Sequence, residues 1–376
     1  MSSSSLAHHH EWNDRLKYVV LLGAAVFVDG LLVDAGRAWT GFLMGFHYLV
    51  ELSLAGTVFL ALLTLTGARW AASLRGVAVA MSRPLPVAAL LGLVLLCGVG
   101  TLYEWSHESV VLSDEVLAAK SVWLNATGFA LRLCAYFGLW LWLSRKVIAP
   151  AEAGTGARSH LVHCALFMAV FAITYSLASV DWIMSLEPRW FSTIFALRTA
   201  SGMVLAALSA AIVLVVLLER RGQLCVSTDQ IHDLAKLLFS FSVLWVYIWY
   251  CQYLLIWYSN IPEETSYYIA RQSGQWRALT WASLALNWAV PFLVLLLRRA
   301  KRSRAVLLRV AMVVLIGHAF DLFVMVGPAR SGATPQFGLW ESGALVGAVA
   351  LFFFIASNAV LRARTSDRLQ QESAAV

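Results

Sequence analysis

The sequence predicts an all-α integral membrane protein of ten transmembrane helices, with both chain ends on the cytoplasmic side. Three observations carry this. First, 60% of the 376 residues are hydrophobic and only 13% are charged, with a mean hydropathy of +0.73. An ordinary soluble domain is about 25% charged, so a soluble enzyme, a disordered chain and a secreted disulfide scaffold are excluded. Second, ten apolar runs approach the ~20 residues that a bilayer core requires, and their all-round apolar composition selects helices over a barrel. Third, Lys and Arg crowd into alternate loops. The net charge of +7 therefore reads as positive-inside bias and not as nucleic-acid binding. Sixteen Trp and eleven Tyr suit interfacial aromatic belts.

In order, the chain begins with a cytoplasmic tail, 1–15, before the membrane domain, 16–362. The first run (16–33) follows Arg15 and Lys17, and the second (41–66) leads into a loop with Arg69, Arg75 and Arg83. The third (85–103) and fourth (121–143) precede Arg145, Lys146 and Arg158. The fifth (160–182) and sixth (191–218) precede Arg220, Arg221 and Lys236. The seventh (236–258) and eighth (276–297) lead to Arg298, Arg299, Lys301, Arg302, Arg304 and Arg309. The ninth (305–326) and tenth (342–361) end in Arg362 and a cytoplasmic tail, 363–376, with Arg364 and Arg368. Twenty basic residues thus fall on one side and six on the other, which places both ends in the cytoplasm. Acids mark the two longest outer loops: Glu104, Glu108, Asp114 and Glu115 in one, Glu263 and Glu264 in the other. They would dock a partner, or simply solvate the loops.

Other chemistry is sparse. Four of the five cysteines lie in apolar runs, and none forms a C-x-x-C pair or a haem-attachment motif. There is no P-loop and no dinucleotide fingerprint. No apolar stretch precedes Lys17, so a cleaved signal peptide is not expected. His8, His9 and His10 read as a solvated tail.

Ionisable residues inside the runs are the functional candidates, because charge in hydrocarbon is costly. They are Asp29, His47, Glu51, Arg132, His163, Asp181, Arg198, His318 and Asp321. His47 and Glu51, four apart, share a helix face, as do His318 and Asp321, three apart. Asn125 and Tyr136 lie on the face of Arg132. Counting residues puts Glu51 and Arg132 near mid-membrane, and Asp29, His47, Asp181, Arg198, His318 and Asp321 in the outer half. Opposite charges at similar depth should pair. In the fifth run His163, Thr174 and Asp181 form a stripe of about 27 Å. In the seventh, Lys236, Ser240, Tyr247 and Tyr250 form another, entered beside Asp233. Both read as halves of a proton path whose gaps need water. The same groups would also serve as structural bonds between helices. A haem held by His47 and His318 is disfavoured, since each histidine has an acid on its own face. Pro291 is the single proline expected to interrupt a run, which argues against a transporter built on paired broken helices.

Three stretches resemble a known family. They are Leu102-Tyr103-Glu104-Trp105-Ser106-His107, then residues 181–195 (DWIMSLEPRWFSTIF), then His232-Asp233-Leu234-Ala235-Lys236 with the run 252–265 (QYLLIWYSNIPEET). Together they look like the ActF-type membrane subunits of bacterial alternative complex III, which are NrfD/PsrC-like. That resemblance implies two four-helix bundles, runs 2–5 and 6–9, flanked by runs 1 and 10. It implies the bacterial cytoplasmic membrane, and partners comprising an ActC-like sister subunit, a multihaem c-type cytochrome and iron–sulfur subunits. The sister subunit usually carries the quinol site. Asp181, His232, Asp233, Lys236 and Tyr258 are the matching motif positions. The expected function is a scaffold and proton pathway in a quinol-oxidising complex, with no cofactor held covalently or by metal ligands. Alternatives are a menaquinone- or ubiquinone-binding subunit, using His47 or Asp181, and a purely structural anchor. Bound lipids are expected in every case.

Overall fold

The computed structural model describes residues 3–152, 158–332 and 334–374, with side chains from 12 to 360 apart from 69, 72, 153–157 and 333. The side chains of His8, His9 and His10 and of the tail 363–376 lie outside the described residues. Among the described residues, ten helices are long and apolar enough to cross a membrane: α1 (Trp12–Val33), α2 (Ala35–Leu65), α3 (Arg75–Leu102), α4 (Ala126–Glu152) and α5 (Arg158–Leu186), then α6 (Phe195–Arg220), α7 (Thr228–Ser259), α8 (Trp276–Leu295), α9 (Arg304–Ser331) and α10 (Leu339–Val360). The chain is a multi-pass helical membrane protein.

Three boundaries differ from the sequence reading, each for a physical reason. The helix α3 starts ten residues early, because 75–82 is helical and packs on α2, where Gly56 leaves room for the Ala78 carbonyl. Pro84 then sits at the joint, where the missing N–H ends one helical stretch and its fixed φ starts the next. The helix α4 starts five residues late, at Ala126, because Asn125 caps it by accepting from the Gly128 N–H (2.7 Å). Third, α8 contains a π-helical turn, Ala285–Ala289, just before Pro291. Pro291 is not the single interruption: Pro84 and Pro86 fall within α3, Pro150 within α4 and Pro328 within α9. The two strongly broken helices, α3 and α8, are each the third of five in their half of the chain.

The most deeply buried helices are α2, α6 and α9. They meet one another at a central seam: α6 packs on α2, α5, α7 and α9, and α2 packs on α9. On one side of the seam α2 gathers α3, α4 and α5; on the other, α6 and α9 gather α7 and α8. The first and last helices pair with each other and both lie against α2. Asn13 donates to Asn358 (2.7 Å), so the two ends of the chain are neighbours. Small residues permit this packing, as in many membrane interfaces. A Cβ on Gly23 would stand 2.7 Å from the Gly347 Cα, and one on Gly41 2.4 Å from the Trp340 carbonyl oxygen. Gly23→Leu should therefore part α1 from α10 and cost about 1–3 kcal/mol. A thermal-shift comparison with Gly100→Leu, where nothing lies within 4 Å of the added Cβ, checks this. Equal melting temperatures for the two variants would contradict the close approach.

The loops that join α3 to α4 and α5 to α6 are tied together. Arg189, between α5 and α6, bonds Glu104 (2.9 Å) and Asp114 (2.7 Å) in the α3–α4 connection. These bonds raise the Arg189 pKa. Asp114 is held low by the Leu117 backbone N–H and then by Arg189. Lys120 donates to the Pro188 carbonyl (2.6 Å), and partial burial lowers its pKa. Two of the four acids in that loop therefore make internal contacts. Glu263 and Glu264 open a short helix, Pro262–Gln272, whose Tyr267 stacks on Trp190 (3.9 Å). Burial raises the pKa of Tyr267 and Tyr268 there.

Candidate functional site

The seam between α2, α5, α6 and α9 contains the candidate site. Glu51, near the middle of α2, is 1% exposed. Its Oε2 lies 2.6 Å from His318 Nε2, on α9, and its Oε1 accepts from the Tyr175 hydroxyl of α5 at 2.9 Å. His47 Nε2 stands 3.2 Å from the same Oε1, but out of hydrogen-bonding alignment. Both His47 ring nitrogens thus lack a hydrogen-bond partner among the described residues, although the side chain is fully buried. Tyr48 ties the two halves by donating to the Leu315 carbonyl (2.8 Å). Across from His318, α6 presents Gly202, where a Cβ would come within 3.2 Å of the imidazole. One carboxylate therefore stands between two imidazoles and a phenol, in a site closed to bulk water.

A turn further along α9, Asp321 accepts from Arg198 Nη2 (2.7 Å) on α6 and Ser283 Oγ (3.3 Å) on α8. The π turn brings Asn287 beside Ser283, to whose carbonyl it donates (3.0 Å). Gly317 leaves room for that residue, since a Cβ there would meet Asn287 Oδ1 at 3.0 Å. Arg198 Nε and Nη1, Asn287 Oδ1, Trp245 Nε1 and Trp182 Nε1 are buried without hydrogen-bond partners among the described residues. Buried polar atoms are rarely left so, and such groups are ordinarily satisfied by internal water.

Nearer the α3–α4 and α5–α6 loops is a third cluster. Asp181 accepts from Arg132 Nε (2.8 Å) and Nη2 (3.0 Å), from the Tyr136 hydroxyl (2.8 Å) and from Trp123 Nε1 (2.9 Å). The Arg132 guanidinium also lies over the Trp123 ring, 4.2 Å from its centroid. This carboxylate is saturated. Arg132 belongs to the level of Asp181 and not to mid-membrane, because α4 begins only six residues before it.

The pairing differs from the sequence expectation in one instructive way. His318 and Asp321 share a face of α9, yet they do not pair with each other. The first turns to Glu51 and the second to Arg198. Nor is there space between the two histidines for a haem, because the Glu51 carboxylate occupies it.

The two stripes fare differently. In α5, Thr174 is buried, but its hydroxyl donates to the Val170 carbonyl (2.7 Å) and accepts from Trp140 Nε1 (2.8 Å), as in ordinary helix packing. His163 is half-buried toward the other end of that helix. In α7, Lys236 pairs with Asp233 (2.6 Å) at the helix foot. Ser240, Tyr247 and Tyr250 do not face the seam: all three are exposed on the outer surface of the helix. Asp29 is exposed on α1 and accepts from Trp340 Nε1 (3.0 Å).

Sequence reasoning missed Tyr175, Ser283, Asn287 and Arg271. The last is buried in the short helix Pro262–Gln272 and donates to the Val324 (2.9 Å) and Met325 (2.8 Å) carbonyls of α9 and to Glu187 (2.5 Å). Hydroxyls and amides do not stand out in an apolar run as charges do. Arg271 lies outside every run, where an arginine looks ordinary.

A cavity of about 360 Å³ opens among the ends of α2, α3, α5 and α9, lined by Thr40, Tyr103, Glu104, His107 and Arg330 among others. Thr40 lies seven residues before His47, so the two share a face of α2 about 10 Å apart. Tyr103, in the cavity wall, donates to the Trp182 carbonyl (2.9 Å), and the Trp182 ring sits edge-on to His47 (6.1 Å).

Fold and site together define a polytopic helical membrane protein with ionisable groups buried along its central seam. No family model and no curated protein matches the chain.

Proposed function

We propose that this chain is a cofactor-free, ActF-type membrane subunit of a quinol-oxidising respiratory complex in a bacterial cytoplasmic membrane, and that its seam handles protons while partner subunits carry electrons. The observation that carries the proton role is Glu51, buried between His47 and His318 with Tyr175 on the same carboxylate oxygen as His47. A carboxylate flanked by two imidazoles can exchange protons over hydrogen-bond distances, and its depth suits a relay rather than a surface ion pair. The unpartnered atoms around it support water between His47 and the outer cavity. The packing of α2 with α3–α5, and of α6 and α9 with α7 and α8, suits the two-bundle layout of the family resemblance. The three motif stretches support the complex and its ActC-like, multihaem and iron–sulfur partners.

One observation favours a second reading, a quinone-binding subunit. His47 Nδ1 has no partner among the described residues, its Nε2 meets only Glu51 at 3.2 Å, and the ring lies beneath the cavity, whereas Asp181 is already saturated by four donors. A quinol site would therefore use His47 and not Asp181.

The test is purification of the tagged chain from its native membrane in mild detergent, followed by haem staining and a quinol oxidation assay. Co-purifying c-type haem with quinol oxidation is the expected result. A chain that elutes alone, colourless and inactive, would overturn the subunit reading.

A further inference from the structure

The exposed stripe on α7 has a depth that a lipid-facing surface does not explain. Tyr247 is 60% exposed and Tyr250 52%. Tyr247 is the twentieth of the 32 residues of α7, about 18 Å of rise from the Ser259 end. With the helix centred in a ~30 Å core, that places its Cα roughly 9 Å inside the hydrocarbon. Side chains lean toward the N-terminus of their own helix, which carries the Tyr247 hydroxyl further from the Ser259 end. Among the described residues its hydroxyl is matched only by the Cys251 thiol, a weak partner. Ser240, two turns before Tyr247, is exposed on the same face. Trp257 and Tyr258, at the helix end, fit an interfacial belt and need no partner. Hydrocarbon offers no acceptor to the two buried-depth phenols, and a polar group left unpaired there is unfavourable.

We infer that this face of α7, centred on Tyr247 and Tyr250, is the docking surface for a transmembrane helix of a different membrane subunit, one presenting small and hydrogen-bonding side chains. Charge at the two ends of the stripe selects the occupant. At the foot of α7, His232 lies among Lys236, Arg298, Lys301 and Arg302, and although Lys236 pairs with Asp233 and Arg302 with Asp229, the cluster keeps a net positive charge. Just past the other end come Glu263 and Glu264. A partner acidic at the basic end and basic at the acidic end complements both. A second copy of this chain, related by an axis along the membrane normal, would oppose like charges at each end. This inference rests on the subunit reading but can fail separately from it.

The test places a photo-crosslinking amino acid at position 247 of the full chain in its native membrane, with position 173 on α5 as the lipid-facing control (Ile173 is 64% exposed). An adduct with one membrane-spanning protein at 247 and none at 173 is expected. Removing only the hydroxyls, in Tyr247→Phe with Tyr250→Phe, should then cut co-purification of that protein roughly fivefold to tenfold, with the chain's own melting temperature unchanged. Lipid-only adducts at 247, with other subunits still co-purifying, would overturn the docking surface and leave the subunit reading intact. An adduct between two copies would overturn the choice of occupant. A chain that purifies alone and crosslinks only to lipid would remove both.

Discussion

Glu51→Gln should lower proton release coupled to quinol oxidation by roughly 10²-fold, the scale of a lost acid–base group, while the chain still folds and assembles. Glutamine keeps the volume of the side chain and a carbonyl oxygen for the Tyr175 hydroxyl. It cannot take up or release a proton. The two imidazoles would then face an amide, and the relay between α2 and α9 would be cut at its centre. His47→Gln should have a similar effect, since it removes the group between Glu51 and the cavity side. The measurement is pH-indicator detection of proton release by the purified complex in vesicles, beside the rate of quinol oxidation. Unchanged proton release in Glu51→Gln, with the complex intact, would sink the relay and favour a structural anchor.

The largest loss of stability is expected from Asp321→Asn. It strands the Arg198 guanidinium, whose side chain is 3% exposed, with Ser283 as a weak substitute partner. Breaking one side of a buried pair typically costs about 3–5 kcal/mol, because the remaining charge stays desolvated. The apparent melting temperature in detergent should fall by the order of 10 °C. Replacing both partners by apolar residues, Arg198→Met with Asp321→Leu, should recover most of that loss. As a surface reference, Asp229→Asn breaks the exposed contact with Arg302 and should change stability by less than about 1 kcal/mol. If Asp321→Asn melts like the Asp229 variant, the buried pair is not an energetic link between α6 and α9. Because the Arg198–Asp321 pair is one turn from His318, the double variant also separates stability from proton handling.

What could be read in advance follows from the range of each interaction. A transmembrane helix is announced by local composition, since about 20 apolar residues suffice. Errors arose where a local signal was ambiguous. Pro84 and Arg83 suggested a loop although α3 runs through them, and Ser121 suggested a helix start although the cap is Asn125. Each buried charge was also visible, as an outlier in its run. Its partner was not. Depth counted along one helix put His318 in the outer half and Glu51 near the middle, whereas their side chains meet.

By itself the sequence determined that the chain is a helical, multi-pass membrane protein, how many helices are long enough to span, and which ionisable residues enter the apolar runs. Only the tertiary structure decided that Glu51 meets His318 across 267 residues, that Asp181 is saturated by Arg132, Tyr136 and Trp123, and that the α7 tyrosines face outward. The physical reason is that hydrophobicity acts residue by residue along the chain, whereas the rotation and approach of helices depend on packing contacts such as Gly23 against Gly347. A buried charge is satisfied by whichever neighbour that packing brings within about 3 Å.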